Sequence, residues 1–273
     1  MRRLGLASLG FVGFGAVTAV LLSCFGHLLS PNAEAAPAAA PMPPAMPGAP
    51  AAAGATPVLV ELFTSEGCSS CPSADAVATK LERTQPVGGA RIIVLAHHVD
   101  YWNSLGWPDP WSSPAATARQ KSFAPIRTGS YTPQAVVDGR SETVGSRSSA
   151  VESLIADAAK APHLALDLEV TRFEKSVFDV TVKTANGAAF PADADVTVVV
   201  VQDRGRTAVP AGENAGQTLD HGSIVRAMTA GPRARVTIPP AINAPGGTSF
   251  SIVAFVQERA SRKILGSSAA GVP

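Results

Sequence analysis

The sequence has little excess charge, few aromatic residues and only three cysteines. Its 22 lysines and arginines almost balance its 21 aspartates and glutamates, which leaves a formal net charge of +1. Nucleic-acid-binding domains need a basic face or stripe, so we expect no nucleic acid among the partners. Hydrophobic residues nevertheless make up 46% of the 273 residues, which is enough for a sizeable core in one large domain or two ordinary ones.

The amino-terminal segment, residues 1–35, is predicted to be an export signal. Arg2 and Arg3 precede an apolar run over residues 4–22 that contains no charged residue, an order typical of a signal peptide. Three outcomes stay open: cleavage, lipid attachment at Cys24, or retention as a membrane anchor. We therefore expect a periplasmic or secreted protein, attached to a membrane only through an uncleaved signal or a lipidated Cys24.

Residues 36–56 are predicted to form a disordered tether, because they are almost entirely Ala, Pro, Gly and Met. Export removes Cys24 from consideration or places it at the membrane. The exported part then keeps one cysteine pair, Cys68 and Cys71, separated by two serines. In an oxidising compartment such a pair can form a disulfide without any partner.

A strand, helix, strand pattern opens the region 57–161. Residues 58–63 and 91–96 are continuous apolar runs, as expected for buried parallel strands joined by a right-handed crossover. The segment between them, 72–84, has apolar residues at helical spacing, namely Ala74, Val77, Ala78 and Leu81. Further on, Asp138-Gly139 predicts a hairpin turn, and a last helix is predicted over 148–160.

The region 162–273 has a different pattern, because its segments alternate between apolar and polar residues and almost lack helical periodicity. Five stretches have this character: LALDLEVTRF, VFDVTVKT, ADVTVVVVQD, ARVTIPP and SFSIVAFVQE. Glycines separate several of them, at Asn186-Gly187, Gly212 and Gly246-Gly247. Short strands at this spacing predict an antiparallel, sandwich-like β domain.

The order of elements in 57–161, with C-x-x-C between the first strand and the first helix, resembles the thioredoxin fold. The fold class predicted for the chain is therefore an α/β thioredoxin-like domain followed by an all-β antiparallel sandwich-like domain. The resemblance implies that Cys68 lies at a helix amino end and attacks, and that Cys71 resolves the mixed disulfide. It also implies that Pro133 follows a cis bond and orders a substrate strand beside the sulfur atoms.

The chain is also similar, over both regions, to a bacterial family of exported proteins of unknown function. The matching stretches are ELFTSEGCSSCPSAD, HHVDYWNSLGWPDP, YTPQAVVDG and GENAGQTLDHGSIVR. Because that family has no agreed activity, the resemblance supports the architecture more than a function.

Redox exchange is one of three functions that stay open for the cysteine pair. In this interpretation the protein exchanges with protein thiols or disulfides in the cell envelope and needs no organic cofactor. A thiolate at a helix amino end is stabilised by unsatisfied N–H groups, whereas Glu66, two residues before Cys68, opposes thiolate formation. The motif is therefore compatible with either direction of electron flow.

Metal binding is the second possibility. Two thiolates and two imidazoles form a set suited to zinc or copper, and the candidate ligands are Cys68, Cys71, His97 and His98. Adjacent strand residues point to opposite faces, so at most one of the two histidines would naturally face the cysteines.

A non-enzymatic binding module with a local disulfide is the third possibility. Its partner would dock on the aromatic loop 97–111, which holds all three tryptophans, or on the β-rich region. A cluster of polar residues in that region is assigned no chemistry; its members are Glu213, Asn214, His221 and Arg226.

Overall fold

Within residues 54–124 and 129–273, which the computed structural model describes, the chain forms eleven β-strands and three α-helices. The predicted export signal and all but the end of the tether lie outside these residues. The strands are β1 (Thr56–Thr64), β2 (Ala90–His98), β3 (Gln134–Val137), β4 (Ser141–Val144), β5 (Leu166–Glu174), β6 (Val177–Thr184), β7 (Ala194–Ala208), β8 (Thr218–Ala230), β9 (Arg233–Thr237), β10 (Phe250–Glu258) and β11 (Ile264–Gly271). The helices are α1 (Cys71–Thr84), α2 (Pro114–Lys121) and α3 (Ser148–Ala158).

Eight strands form one large mixed sheet, in the order β11-β10-β7-β8-β2-β1-β3-β4. β2 is parallel to both of its neighbours, β1 and β8, and the other pairs are antiparallel. Strands from both predicted regions thus belong to the same sheet. The fold is mixed α/β, with a large sheet and few helices.

The first strand is buried on both faces, as its continuous apolar sequence predicts. Val60 and Leu62 pack against α1 and α3, whose buried residues include Leu81 and Ile155. Leu59, which points the other way, packs in a separate core with residues of β2, β7 and β10. The parallel pairing of β1 with β2 then brings the carboxyl ends of both strands to the same edge of the sheet.

The large sheet curls back on itself. Ile264, at the start of β11, donates its backbone N–H to the carbonyl oxygen of Asp138, in the β3–β4 turn, at 2.8 Å. These strands lie toward opposite ends of the sheet, so only strong curvature lets them meet. The curled strands enclose the core that contains Leu59 and Phe255.

A second sheet, β5-β6-β9, is antiparallel and covers the outer face of β7 and β10. Phe178 and Val180 of β6 pack there against Val198 of β7 and Ile252 of β10. The alternation along β6, in which every second residue is buried, is the period-2 pattern of a strand with one covered face.

Several local predictions are confirmed. The predicted helix over 72–84 is α1, and its buried residues include Ala74, Ala78 and Leu81. Asp138-Gly139 joins β3 to β4, with both residues at positive φ. The strands β8 and β11 were not among the predicted segments, because polar and small residues interrupt their apolar pattern, such as His221 and Gly222 in β8.

Candidate functional site

The two cysteines lie in the turn between β1 and α1. They form a disulfide with Cα atoms 5.4 Å apart, and α1 begins at Cys71. Cys68 donates its backbone N–H to Ser65 O, and Cys71 donates to Cys68 O, so the turn is held by its own backbone. Both cysteines are buried, with Cys68 1% exposed, whereas Ser69 and Ser70 between them face solvent.

Pro133 lies near the same helix. The Thr132–Pro133 peptide bond is cis, as the resemblance to the thioredoxin fold implies. Gly145 lies between Pro133 and Ala74 of α1. A Cβ atom added to Gly145 would lie 3.6 Å from the Pro133 Cβ and 3.1 Å from the Ala74 Cβ. Trp102 connects the two loops, because its Nε1–H donates to Thr132 Oγ1 at 2.9 Å while its Cβ packs on the glycine before Cys68.

Glu66, two residues before Cys68, is a buried carboxylate with three N–H partners. Trp107 donates to its Oε2 at 2.7 Å and Trp111 to its Oε1 at 3.1 Å, while His221 Nε2 lies 3.0 Å from Oε1. Burial alone would raise the pKa of Glu66, but the hydrogen bonds from His221 and Trp107 outweigh it and hold the pKa below its usual value. Glu66 is therefore ionised and its charge is compensated.

A second buried carboxylate, Asp109, pairs with His98 at the end of β2. His98 Nδ1 lies 2.7 Å from Asp109 Oδ2, and the backbone N–H groups of Glu66 and Trp111 also donate to this carboxylate. Desolvation opposes a charged imidazole, but the nearby Asp109 raises the pKa of His98 above its usual value, and the reciprocal attraction lowers that of Asp109. Both shifts favour the imidazolium–carboxylate form of this pair.

The rings of His98 and His221 meet edge to face, with centroids 4.8 Å apart. His221 Nδ1 also lies 3.7 Å from Oδ2 of Asp75, a buried residue one helical turn after Cys71, and this separation is too long for a hydrogen bond. Neither this Nδ1 nor Nε2 of His98 has a hydrogen-bond partner. Desolvation raises the pKa of Asp75 above its usual value.

The connection between β7 and β8 covers the cysteine turn. Asn214, fully buried, donates from Nδ2 to the carbonyl oxygens of Glu66 at 2.8 Å and Cys68 at 3.0 Å. The exposed Glu213 accepts the Ser69 N–H at 2.9 Å. These contacts place Glu213 and Asn214, two members of the polar cluster of the β-rich region, directly on the C-x-x-C turn.

His97 points into a separate buried network. Its Nε2 lies 3.0 Å from Glu61 Oε2, and Arg119 binds both oxygens of this glutamate at 2.6 and 2.7 Å. Burial would raise the pKa of Glu61, but the Arg119 guanidinium lowers it to about 2. Arg119 also donates to Gln257 of β10, so this network joins four elements of the core.

The sequence indicates only part of the cluster around Glu66. It points to Cys68 and Cys71, and it suggests Glu66 only as a charge that opposes the thiolate. It does not single out Asp75 or Asp109. A signal existed for Asp75, which falls on the buried face of α1 four residues after Cys71. The Arg226 guanidinium donates its hydrogen bond to Gln202, which lies outside the cluster, and lies 5.8 Å from the centre of the Trp111 ring.

A profile of a family described as proteins of unknown function (DUF1223) matches residues 59–257. The chain belongs to this family. The prediction of a family of unknown function is thereby confirmed, and the match covers both the cysteine turn and the β7–β8 connection. No curated protein matches the chain.

The crystal structure of protein AGR_C_4864 from Agrobacterium tumefaciens is similar, with 26% sequence identity and a TM-score of 0.56. The similarity covers 80% of this chain and 94% of that one.

Among the described residues, no helix is long and apolar enough to cross a bilayer. No three His, Cys, Asp or Glu side chains of residues 54–124 and 129–273 are grouped so that they could hold a metal ion.

Proposed function

We propose that the protein is an exported thiol:disulfide exchange protein whose redox couple is Cys68 and Cys71. The observation that carries the proposal is the disulfide at the amino end of α1, in a turn that Trp102 connects to the cis bond before Pro133. Its substrates would be protein thiols or disulfides in the cell envelope, in the periplasm or outside the cell.

We also propose that residues 57–161 form a thioredoxin-like domain and 162–273 a sandwich-like β domain. The parallel β1-α1-β2 unit, the antiparallel β3–β4 hairpin and α3 support the first assignment. The packing of β5-β6-β9 on β7 and β10 supports the second.

In the oxidised form a substrate thiolate attacks Sγ of Cys68. The bond to Cys71 breaks, and Cys71 leaves with the electron pair and takes up a proton. A second substrate thiolate then attacks the substrate sulfur of the mixed disulfide, and Cys68 leaves. The substrate dithiol is oxidised to a disulfide and the protein is reduced to a dithiol; the reverse sequence reduces a substrate.

The electrostatics around Cys68 favour its thiolate as a leaving group. The N-cap of α1, Ser70, makes no side-chain cap bond and the first turn has no acidic residue, so the positive end of the helix is available to a thiolate. Glu66, which the sequence suggests would oppose that thiolate, is compensated by its three N–H partners, and this weakens its opposing effect.

The test is to trap and to titrate the couple. Cys71→Ser should accumulate a mixed disulfide between Cys68 and a substrate in cells, and Cys68→Ser should not. The purified wild type should equilibrate with glutathione mixtures at a defined reduction potential. If the disulfide stays inert at every glutathione poise and neither variant traps a partner, the proposal is wrong.

Metal binding is a second candidate function, favoured by His98 and His221. Because no three ligand side chains are grouped among the described residues while the disulfide is closed, it requires the Cys68 and Cys71 thiolates of the reduced protein as further ligands. Carboxylates hold one nitrogen each of His98 and His221, while the other nitrogen of each ring is buried without a partner, as in carboxylate–histidine–metal sites. His97 pairs with Glu61 instead. Zinc or copper retained by the reduced protein, and lost in His221→Asn, would support this candidate; equal metal content in that variant would exclude it.

A further inference from the structure

The β7–β8 connection, residues 209–217, forms a cover over the cysteine turn. This cover carries a negative charge at its solvent-facing side. Asn214 closes the turn from inside the fold, through its two bonds to the carbonyls of Glu66 and Cys68. Glu213 is exposed, and its carboxylate accepts the N–H of Ser69, the residue that follows Cys68. That hydrogen bond keeps the pKa of Glu213 below its usual value, so it is ionised at neutral pH.

Glu213 has no cation paired with it among the described residues. Its carboxylate bonds the Ser69 N–H, a neutral donor. The cations nearest the cysteine turn have other partners: His98 pairs with Asp109 and His221 with Glu66, while the Arg226 guanidinium bonds Gln202. The negative charge of Glu213 therefore faces solvent.

A substrate must disturb the cover before it reaches the sulfur atom, because Cys68 is only 1% exposed. Opening the cover separates Glu213 from the Ser69 N–H, which leaves the carboxylate without that partner. An incoming ammonium or guanidinium group can take the place of the N–H and form a charge-assisted hydrogen bond. An incoming carboxylate is repelled by the same group.

We propose that Glu213 selects the substrate by charge: the couple exchanges with thiols that carry a positive charge near the sulfur, such as a cysteine flanked by lysine or arginine. Anionic thiols, glutathione among them, react more slowly. This inference rests on the proposed exchange function and names its substrate class. Glu213 is a specificity-determining residue, and the exchange step is the one written above, with the same two bonds broken and formed.

The experiment measures reduction of the oxidised full-length protein by three small thiols at low salt: cysteamine, 2-mercaptoethanol and 3-mercaptopropionate. Each observed rate constant is divided by the thiolate concentration. The result is then divided by the rate constant of the same thiol with a small model disulfide, which corrects for thiol basicity. We expect cysteamine to react about tenfold faster than 3-mercaptopropionate, with 2-mercaptoethanol between them. Glu213→Gln keeps a carbonyl oxygen for Ser69 and should reduce the spread to about threefold or less.

Two controls isolate the effect of charge at this position. Glu169→Gln removes an exposed carboxylate on β5 that pairs with Lys183, and should keep the wild-type spread. Raising the salt concentration to about 0.5 M should shrink the wild-type spread, because exposed charges are screened.

The outcomes separate this inference from the function on which it rests. Equal corrected rate constants for the three thiols, or an unchanged spread in Glu213→Gln, overturn the charge selection while leaving the exchange function standing. A disulfide that reacts with none of the thiols overturns both.

Discussion

The replacement Glu66→Gln tests whether the buried carboxylate holds the site together. Glu66 accepts hydrogen bonds from two indoles and lies within hydrogen-bond distance of the His221 ring. Glutamine is almost the same size, but it has only one acceptor oxygen, and an NH2 group replaces the other. That NH2 group must face either the Trp107 N–H or the N–H groups of Trp111 and His221. At least one donor then loses its partner inside the core.

The expected cost follows from these contacts. A hydrogen bond to a charged group contributes about 1.5–3 kcal/mol, and breaking a buried charged pair costs about 3–5 kcal/mol. We expect Glu66→Gln to lower the free energy of unfolding of the oxidised protein by about 3 kcal/mol. This is a large part of the roughly 5–15 kcal/mol that stabilises a typical domain.

Denaturant unfolding followed by tryptophan fluorescence measures this change. Trp107→Phe removes one donor, so in a double-mutant cycle its coupling to Glu66→Gln should be about 1.5 kcal/mol. Glu169→Gln, at an exposed ion pair, should change the free energy by less than about 0.5 kcal/mol. A loss below about 1 kcal/mol for Glu66→Gln, with no coupling to Trp107, would refute the reasoning.

Three further predictions concern pH, packing and the cover. Burial raises the pKa of Glu82 to about 7 from 4.5, so the unfolded chain loses its proton first and stability should fall as pH rises from about 4.5 to 7. Allowing for partial exposure, Glu82→Gln should remove about 2 kcal/mol of that fall in denaturant titrations. Gly205→Ala places a Cβ 2.5 Å from the Trp111 ring and should cost about 1–3 kcal/mol in thermal or denaturant unfolding, whereas Gly88→Ala, in open space, should cost far less. Asn214→Ala removes two buried bonds and should raise the rate constant for reduction by dithiothreitol about tenfold.

Each of these results has a contrary outcome that would count against its premise. If Glu82→Gln leaves the pH dependence of the free energy of unfolding unchanged, the pKa of this carboxyl is not raised by folding. Equal stabilities of Gly205→Ala and Gly88→Ala would mean that the Trp111 ring does not pack closely on β7. An unaltered reduction rate in Asn214→Ala would mean that its two hydrogen bonds do not limit access to Cys68.

The features that the sequence predicted are local ones. The apolar run of β1, the helical spacing of α1 and the Asp138-Gly139 turn depend on residues that are neighbours in the chain. The cis bond before Pro133 has a different source: the resemblance to the thioredoxin fold implied it, since most X-Pro bonds are trans and a local pattern does not select the cis form. Patterns over ten to fifteen residues are enough for the local features.

The partners of Glu66 could not be predicted in this way. Trp107 and Trp111 are 41 and 45 residues away, and His221 is 155 residues away. The contact of His221 depends on the pairing of β8 with β2, and buried polar residues of β8 hide the usual alternation of a strand. Long-range pairing of this kind leaves no periodic trace in the sequence.

The β-rich region does more than add a domain beside the cysteines, because it covers one face of the strands that carry them. Leu59 and Leu95, on that face, share a core with Val199, Phe255 and Ile264 of β7, β10 and β11. The same region supplies His221, one of the three side chains that compensate Glu66, and Asn214, which closes the turn over Cys68. In the exchange function that we propose, a substrate that displaced the β7–β8 connection would therefore also loosen the site around Glu66. The stability of that contact would then set how often the disulfide became accessible, which would link the packing of the second region to exchange at the cysteines.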